Sequence, residues 1–460
     1  MSNSQIKDFT HGDITKQLLI FAWPLFLSNL LQVVYNMVDM MVVGNIIGKS
    51  GISSVSIGGD VTNLLTLVVM GFSSAGQVLI ARYVGGGERH KIGRFVGTMS
   101  SFLMFCAILL SIVGLSFQDV ILKLMNTPPE AYQGAIGYSV VCMSGLIFIY
   151  GYNIVSAVLR GMGDSKHPFI FISIAAIINL ALDFVFVAGL KMGAVGAALA
   201  TVFSQAISFI SCSVFLVKNA DKFELNLHIK HFVHWDRNML GGLLKLGIPM
   251  AIKSASIQIS KLFVNSWINS YGVAVSAFAG ISNKVANIAN LISTAMNTAG
   301  STMVGQNIAA GEFERVKKIL KQLAIITLSI AAVLSLVICF FPEDIFSVFT
   351  SEGDADVLAI ANGYVPIAIL LFFGAALRAV MNPLINGSAN YRINFATAIL
   401  DGIVMRIGPA LLFGLVLEMK HYGFWLGDAL AGFTPFFIGL VFYLTGLWKK
   451  GRQLSNKPLK

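Results

Sequence analysis

Apolar runs long enough to cross a lipid bilayer recur from one end of this sequence to the other, and they leave few folds open. At about 1.5 Å of rise per residue, roughly 20 apolar residues span the hydrocarbon core as an α-helix, whereas a barrel strand needs only about 9 to 11. Backbone polar groups in lipid must be satisfied within the segment itself, so blocks of this length are helices. Of the 460 residues 56% are hydrophobic and only 12% charged, a balance that ordinary water-soluble domains do not approach. The chain is expected to be an all-α integral membrane protein. Twelve transmembrane helices are placed near 14–43, 53–81, 92–117, 130–160, 167–190, 193–217, 239–269, 277–305, 316–341, 355–385, 393–416 and 422–447.

The first run is too long for the apolar core of a cleaved signal peptide and reads as a retained helix. Residues 218–238 form the longest polar connection and divide the chain into an N-terminal six-helix lobe, 1–217, and a C-terminal one, 239–460. Basic residues gather at the termini and in the even-numbered loops, among them Arg82, Arg89, Lys91, Arg94, Arg160, Lys166, Arg315, Lys317, Lys318, Arg452, Lys457 and Lys460. The opposite side has Lys49, Lys123, Lys191 and Lys420 beside an acidic stretch of Glu343, Asp344, Glu352, Asp354 and Asp356. Both termini are therefore expected in the cytoplasm, with the protein in the cytoplasmic membrane. Anionic lipid beside that bias accounts for the net charge of +10 without a nucleic-acid partner.

The halves repeat one another. Trp23-Pro24 aligns with Ile248-Pro249, Gly76-Gln77 with Gly300-Ser301, Phe117 with Phe341 and Arg160-Gly161 with Asn386-Gly387, each at an offset of about 225 residues. Six helices per half is an even number, so the copies share one topology and are related by an axis along the membrane normal. Two such pseudo-symmetric lobes around a central cavity suit alternating access.

Carboxylates inside apolar helices are the first candidates for function. A charged side chain at the bilayer centre costs roughly 2.5 to 3.5 kcal/mol on insertion scales, so its retention calls for a use. Asp183 lies in IINLALDFVFV with Asn179 one turn before it, and Asp39 lies in YNMVDMMVV. Gln32, Asn36 and Asp39 share a face of the first helix, and Asn153 and Thr201 come from the fourth and sixth. Turned inward, these residues form one polar cluster in the first lobe. Desolvation favours the neutral form of a carboxyl group, so an Asp pair sheltered by Asn and Thr suits proton uptake and release, while the same oxygens suit a sodium ion. Pro24 removes a backbone hydrogen bond about 15 residues before Asp39 and permits a bend.

The second half is different. Lys253 and Lys261 lie on its first helix with Gln258 between them, and Lys284, Arg378 and Arg406 follow, against a single nearby acid, Asp401. A positive cavity wall would favour anionic or zwitterionic substrates. Cys106, Cys142, Cys212 and Cys339 are scattered through apolar runs, and Gly85-Gly86-Gly87 lacks the Lys and hydroxyl of a phosphate loop, so no disulfide, metal or cofactor is expected. His228, His231 and His234 read as part of a solvated loop.

The twelve-helix duplicated layout, the opening WPLFLSNLLQVVYNMVDMMVVG, the ARYVGGGE and VGQNIAAGE pair, and LRGMGDSKHP before NLALDF resemble the multidrug and toxic compound extrusion transporters, the MATE family. An Asp in helix 1 with an Asn and an Asp in helix 5 resembles its DinF-like branch. The resemblance implies that Asp39 and Asp183 are coupling carboxylates, Asn153, Asn179 and Thr201 their partners, and Pro24 the bend of helix 1. The NorM-like branch places coupling acids in the second lobe, where this sequence has lysines. The expected activity is cation-coupled export of amphipathic organic compounds, with H+ or Na+ as the coupling ion, by a monomer that meets only small molecules and lipid. Gln32, Asn36, Lys253, Gln258 and Lys261 are expected to line the substrate cavity. A flippase for lipid-linked or anionic amphiphiles is the alternative within transport. An intramembrane transferase would need a catalytic His or paired-acid motif at a membrane face, and neither is present.

Overall fold

The structure is a computed structural model that describes residues 5–347 and 355–450; Glu352, Asp354, Arg452, Lys457 and Lys460, invoked above for orientation, lie outside the described residues. It is built from α1 (Ile14–Ile47), α2 (Lys49–Gly85), α3 (Ile92–Leu124), α4 (Pro129–Ser144), α5 (Leu146–Gly161), α6 (Lys166–Asp183), α7 (Gly193–Lys218) and a short α8 (Ile229–Val233). The second half holds α9 (Arg237–Asn269), α10 (Val273–Ala310), α11 (Phe313–Phe340), a short α12 (Pro342–Ser347), α13 (Ala355–Gly387), α14 (Tyr391–Ile399), α15 (Met405–Leu411), α16 (Lys420–Ala431) and α17 (Thr434–Leu444). Wider, π-helical turns follow α6 at Phe184–Gly189, join α14 to α15 at Leu400–Val404 and follow α15 at Leu412–Val416.

Among the described residues, ten helical segments are long and apolar enough to cross a membrane, and α4 with α5 makes an eleventh, bent by 49°. The bend falls at Gly145, where a Cβ would lie 2.4 Å from Val202 Cγ1 on α7, so only glycine admits that approach. The remaining expected span is α10, whose 38 residues include Asn283, Lys284, Asn287, Asn290 and Asn297 and fall outside that apolar set. The lipid face is legible on α3. Phe105, Ile108, Leu109, Ile112, Val113 and Phe117 are exposed at helical spacing, while Phe95, Met99, Leu103 and Ala107 are buried on the other side.

The chain divides into two compact units, one of residues 1–8 and 23–247, the other of 9–22 and 248–460. Each first helix of the repeat therefore changes unit at its proline, α1 at Trp23-Pro24 and α9 at Ile248-Pro249. In the first unit, Val42, Val43, Val55, Tyr138, Cys142, Val187 and Ala197 form a core joining α1, α2, α4 and α7. The second unit packs α10 against α13 and α11 against α13, around Phe278, Phe346, Tyr364 and Trp425.

The central connection is structured. Helix α8 lies on α3, where a Cβ at Gly93 would meet the Asn226 carbonyl at 2.3 Å and one at Gly97 would meet His231 backbone at 2.6 Å. The Asp236 amide donates to Thr98 Oγ1 at 3.3 Å, Arg94 pairs with Asp236 at 3.0 Å, and Trp235 meets the rings of Phe102 and Phe105 edge-on. The segment read as a solvated loop keeps His228 and His234 exposed while its backbone docks on α3, because two glycines one turn apart open a groove for it. In the second unit, the Arg315 guanidinium donates to the carbonyls of Phe9, His11 and Gly12, and Asn307 also donates to Phe9, which pins the N-terminal segment.

Candidate functional site: an acid pair and a cationic cluster

In the first unit Asp39 and Asp183 meet. Asp39 is buried on α1 in the helical register that also buries Val42 and Val43, and Asp183 ends α6 where the helix widens into the π turn that buries Val187. Their carboxyl groups lie close together, each within the other's field. Among the described residues no donor reaches Asp39 Oδ1 or either oxygen of Asp183. Two carboxylates this close repel one another when both are ionised, and a proton on either one would let them share a hydrogen bond.

The surroundings are weakly polar. Tyr35, one turn before Asp39, and Tyr138 and Cys142 on α4 are the other ionisable groups beside it. Thr201 lies beside the Tyr138 hydroxyl, and Tyr138 and Thr62 lie beside the Cys142 thiol. Thr201 also donates to the Ala197 carbonyl at 3.1 Å. Asn179 is buried one turn from Asp183 with its amide nitrogen unpartnered among the described residues. Asn153 turns back to its own helix, donating to Ile149 at 2.8 Å. Gln32 is half-buried and Asn36 exposed on α1. Pro24 is half-buried; its missing N–H takes the ladder bond from the Ile20 carbonyl, and its own carbonyl accepts a further bond from the Ser28 hydroxyl at 2.8 Å. Tyr138 and Cys142 were missed by the sequence reading; their signal was a phenol and a thiol spaced i, i+4 in an otherwise apolar helix.

In the second unit the charges form a network. Asp401, wholly buried in the π turn between α14 and α15, accepts from Arg378 at 3.2 Å and from Arg406 at 3.4 Å. Arg406, only 2% exposed, also pairs with Asp428 on α16. Lys253 donates to Asn382 Oδ1 at 2.9 Å. Lys261 has Asp428, Arg406, Arg378 and Asp401 as its charged neighbours, and among the described residues its ammonium makes neither hydrogen bond nor ion pair. Asp428, within FWLGDALAG, escaped the sequence reading, so two acids rather than one face the cations. Four cations still outnumber them. Gln258 is exposed on α9, and so is Lys245.

A small cleft lies beside Lys261, bordered by Asn265, Asn283, Tyr364, Trp425 and Asp428. Among the described residues no group of three or more His, Cys, Asp or Glu side chains is arranged to hold a metal ion.

Comparison with known proteins matches this architecture twice within the chain. The family model described as MatE matches residues 24–185 and again 249–410, displaced by about 225 residues at both ends, as the internal repeat requires. The chain is 28% identical over 449 residues to the probable multidrug resistance protein YoeA of Bacillus subtilis, covering 96% of each chain. It is 27% identical to the probable multidrug resistance protein YpnP of the same organism, covering 98% of this chain and 99% of that one. Its fold is similar to a crystal structure of MATE in the bent conformation, with a TM-score of 0.85, 20% identity and 97% of both chains covered.

Proposed function

The chain belongs to the MatE family, whose members are membrane transporters and not enzymes, and from that premise we propose that it is a cation-coupled antiporter of the cytoplasmic membrane. It exports amphipathic organic compounds, multidrug substrates among them, while protons, or sodium ions in their place, run inward. Each inward elementary charge supplies about 2.3 kcal/mol per 100 mV of membrane potential. Both termini lie in the cytoplasm, and the protein falls in the DinF-like branch.

The observation that carries this reading is the buried Asp39–Asp183 pair, which no donor reaches among the described residues. Such a pair holds one proton stably, repels itself when it holds none, and loses its carboxyl–carboxylate bond when it holds two. Its protonation state therefore changes how α1 sits against α6. The residue that lets α1 respond is Pro24, where the helix already lacks a backbone bond. A bend there would switch the access of substrate to the polar face of α1, where Gln32 and Asn36 are its candidate contacts. Asn153, Asn179 and Thr201 act as the polar setting of the acids.

The test is transport of a fluorescent cationic dye by the purified protein in proteoliposomes, with proton and sodium gradients imposed separately. Wild type is expected to respond to one gradient and Asp39→Asn to neither. Transport that persists undiminished in Asp39→Asn overturns the coupling assignment. The excess of cations over acids in the second unit favours a second reading, movement of lipid-linked or anionic amphiphiles. Dye transport by wild type under neither gradient would move the weight there.

A further inference from the structure

The cleft beside Lys261 is a binding site whose chemistry is unlike that of the acid pair. We propose that it takes the anionic group of a small aromatic acid, with Lys261 as the counter-charge and Trp425 and Tyr364 as the surface on which the ring lies. The inference deepens the transport reading by naming a substrate class, and it rests on that reading only for the use the site is put to.

Three features of this one cleft carry it. The first is an available cation. Lys253 is bonded to Asn382 and Arg378 to Asp401, whereas the Lys261 ammonium has no bonded partner among the described residues and borders open space. A lysine left so far inside an apolar helix is expensive unless something meets it. The second is a set of uncommitted amides. Asn265, one turn on from Lys261, and Asn283 on α10 border the same cleft and form no hydrogen bond to protein among the described residues. An amide can donate to an oxyanion that the ammonium has already drawn in. The third is the aromatic side. Tyr364 and Trp425 stand edge to face at 5.1 Å, both buried, and Phe278 backs Trp425 at 5.6 Å. Both border the cleft, so the part of them left open there is a rigid apolar edge that suits an aryl group and that the phosphate of a lipid headgroup would leave unused.

Asp428 also borders the cleft, and alone it would repel an anion. Its charge is met by Arg406, and with Arg378, Lys253 and Lys261 against Asp401 the whole group keeps an excess of positive charge. The site belongs to one half of the molecule only. At the offset of about 225 residues the counterparts of Lys261, Asn265, Tyr364, Trp425 and Asp428 are Asn36, Met40, Ser139, Ala200 and Phe203, so the cation is missing and the two ring positions hold Ser and Ala.

The experiment is equilibrium binding by calorimetry to the full-length protein in phosphatidylcholine nanodiscs, using 2-naphthoate and its uncharged amide, 2-naphthamide. Wild type is expected to bind the acid at least tenfold more tightly than the amide. Lys261→Gln should erase that preference and Lys261→Arg keep it. Asn283→Ala, an exposed position that a folded protein tolerates, should weaken naphthoate severalfold. Lys245→Gln, exposed on the same helix and outside the cleft, should change nothing. Absence of naphthoate binding by wild type, equal affinity for the two probes, a preference that survives Lys261→Gln, or an unchanged affinity in Asn283→Ala overturns the assignment. Gradient-driven dye export, measured on the same protein, separates the two claims: its absence with naphthoate preference intact removes the antiporter and leaves the site, and the converse removes the site alone.

Discussion

The two halves of this molecule use one backbone plan and opposite electrostatics. In the first unit two buried acids face each other without a cation, and in the second, buried Asp401 sits between two arginines with Lys253 and Lys261 nearby. The repeat makes the difference concrete. Asp39 corresponds to Val264, Asn36 to Lys261, Asn153 to Arg378 and Asp183 to Gly408, while Asp401 stands two turns earlier on its helix, opposite Ala176. A compensated network such as the second holds side chains in one arrangement, because removing any charge strands another in low dielectric. An uncompensated acid pair has two arrangements that differ by a proton, which is what a coupling device needs. On the proposed reading, one copy is the rigid charged half and the other the responsive one.

The comparison breaks first at Arg406. Replacing it with Met strands Asp428 and leaves Asp401 with Arg378 alone, and thermal unfolding in detergent should show a loss of about 3–5 kcal/mol, the range for breaking a buried pair. A variant as stable as wild type would mean that the second-unit network is not structural. The docked linker is the next test. Gly97→Val drives a side chain into His231 backbone, and overpacking of this kind costs about 1–3 kcal/mol, so limited proteolysis should cut within 218–238 markedly faster than in wild type. At Lys253 a single neutral acceptor is involved, and Lys253→Met should lower stability by only about 1 kcal/mol while leaving Asn382 short of a partner. The smallest structural effect is expected at Asp183. In Asp183→Asn the new amide can donate to Asp39, so stability should change by less than about 1 kcal/mol although gradient-driven transport is lost. A stability loss there as large as at Arg406 would put the acid pair on the same footing as the charged network and remove the contrast.

Much of this was legible in the residues. The apolar blocks announced the spans, the repeat of Pro24 at Pro249 announced the duplication, and Asp39, Asn179 and Asp183 were singled out because an acid in an apolar run is improbable without a use. What stayed hidden depends on distant segments. Asp428 lies in a helix of unremarkable pattern, and only packing of α15 against α16 brings it to Arg406. Tyr138 and Cys142 look like core residues until α4 is laid beside α1. The docking of 218–238 depended on Gly93 and Gly97, whose spacing on α3 reads equally well as a helix–helix contact.

Hydropathy and spacing are properties of the chain read locally, and lipid enforces them, so the sequence alone determined that this protein is a duplicated helical membrane protein with acids in its first half. Partnership is a property of two segments at once. Which acid meets another acid, which meets a guanidinium, and which lysine is left facing open space were decided only when helices far apart in sequence packed together, because a charge inside a membrane protein takes its meaning from the group that packing sets beside it.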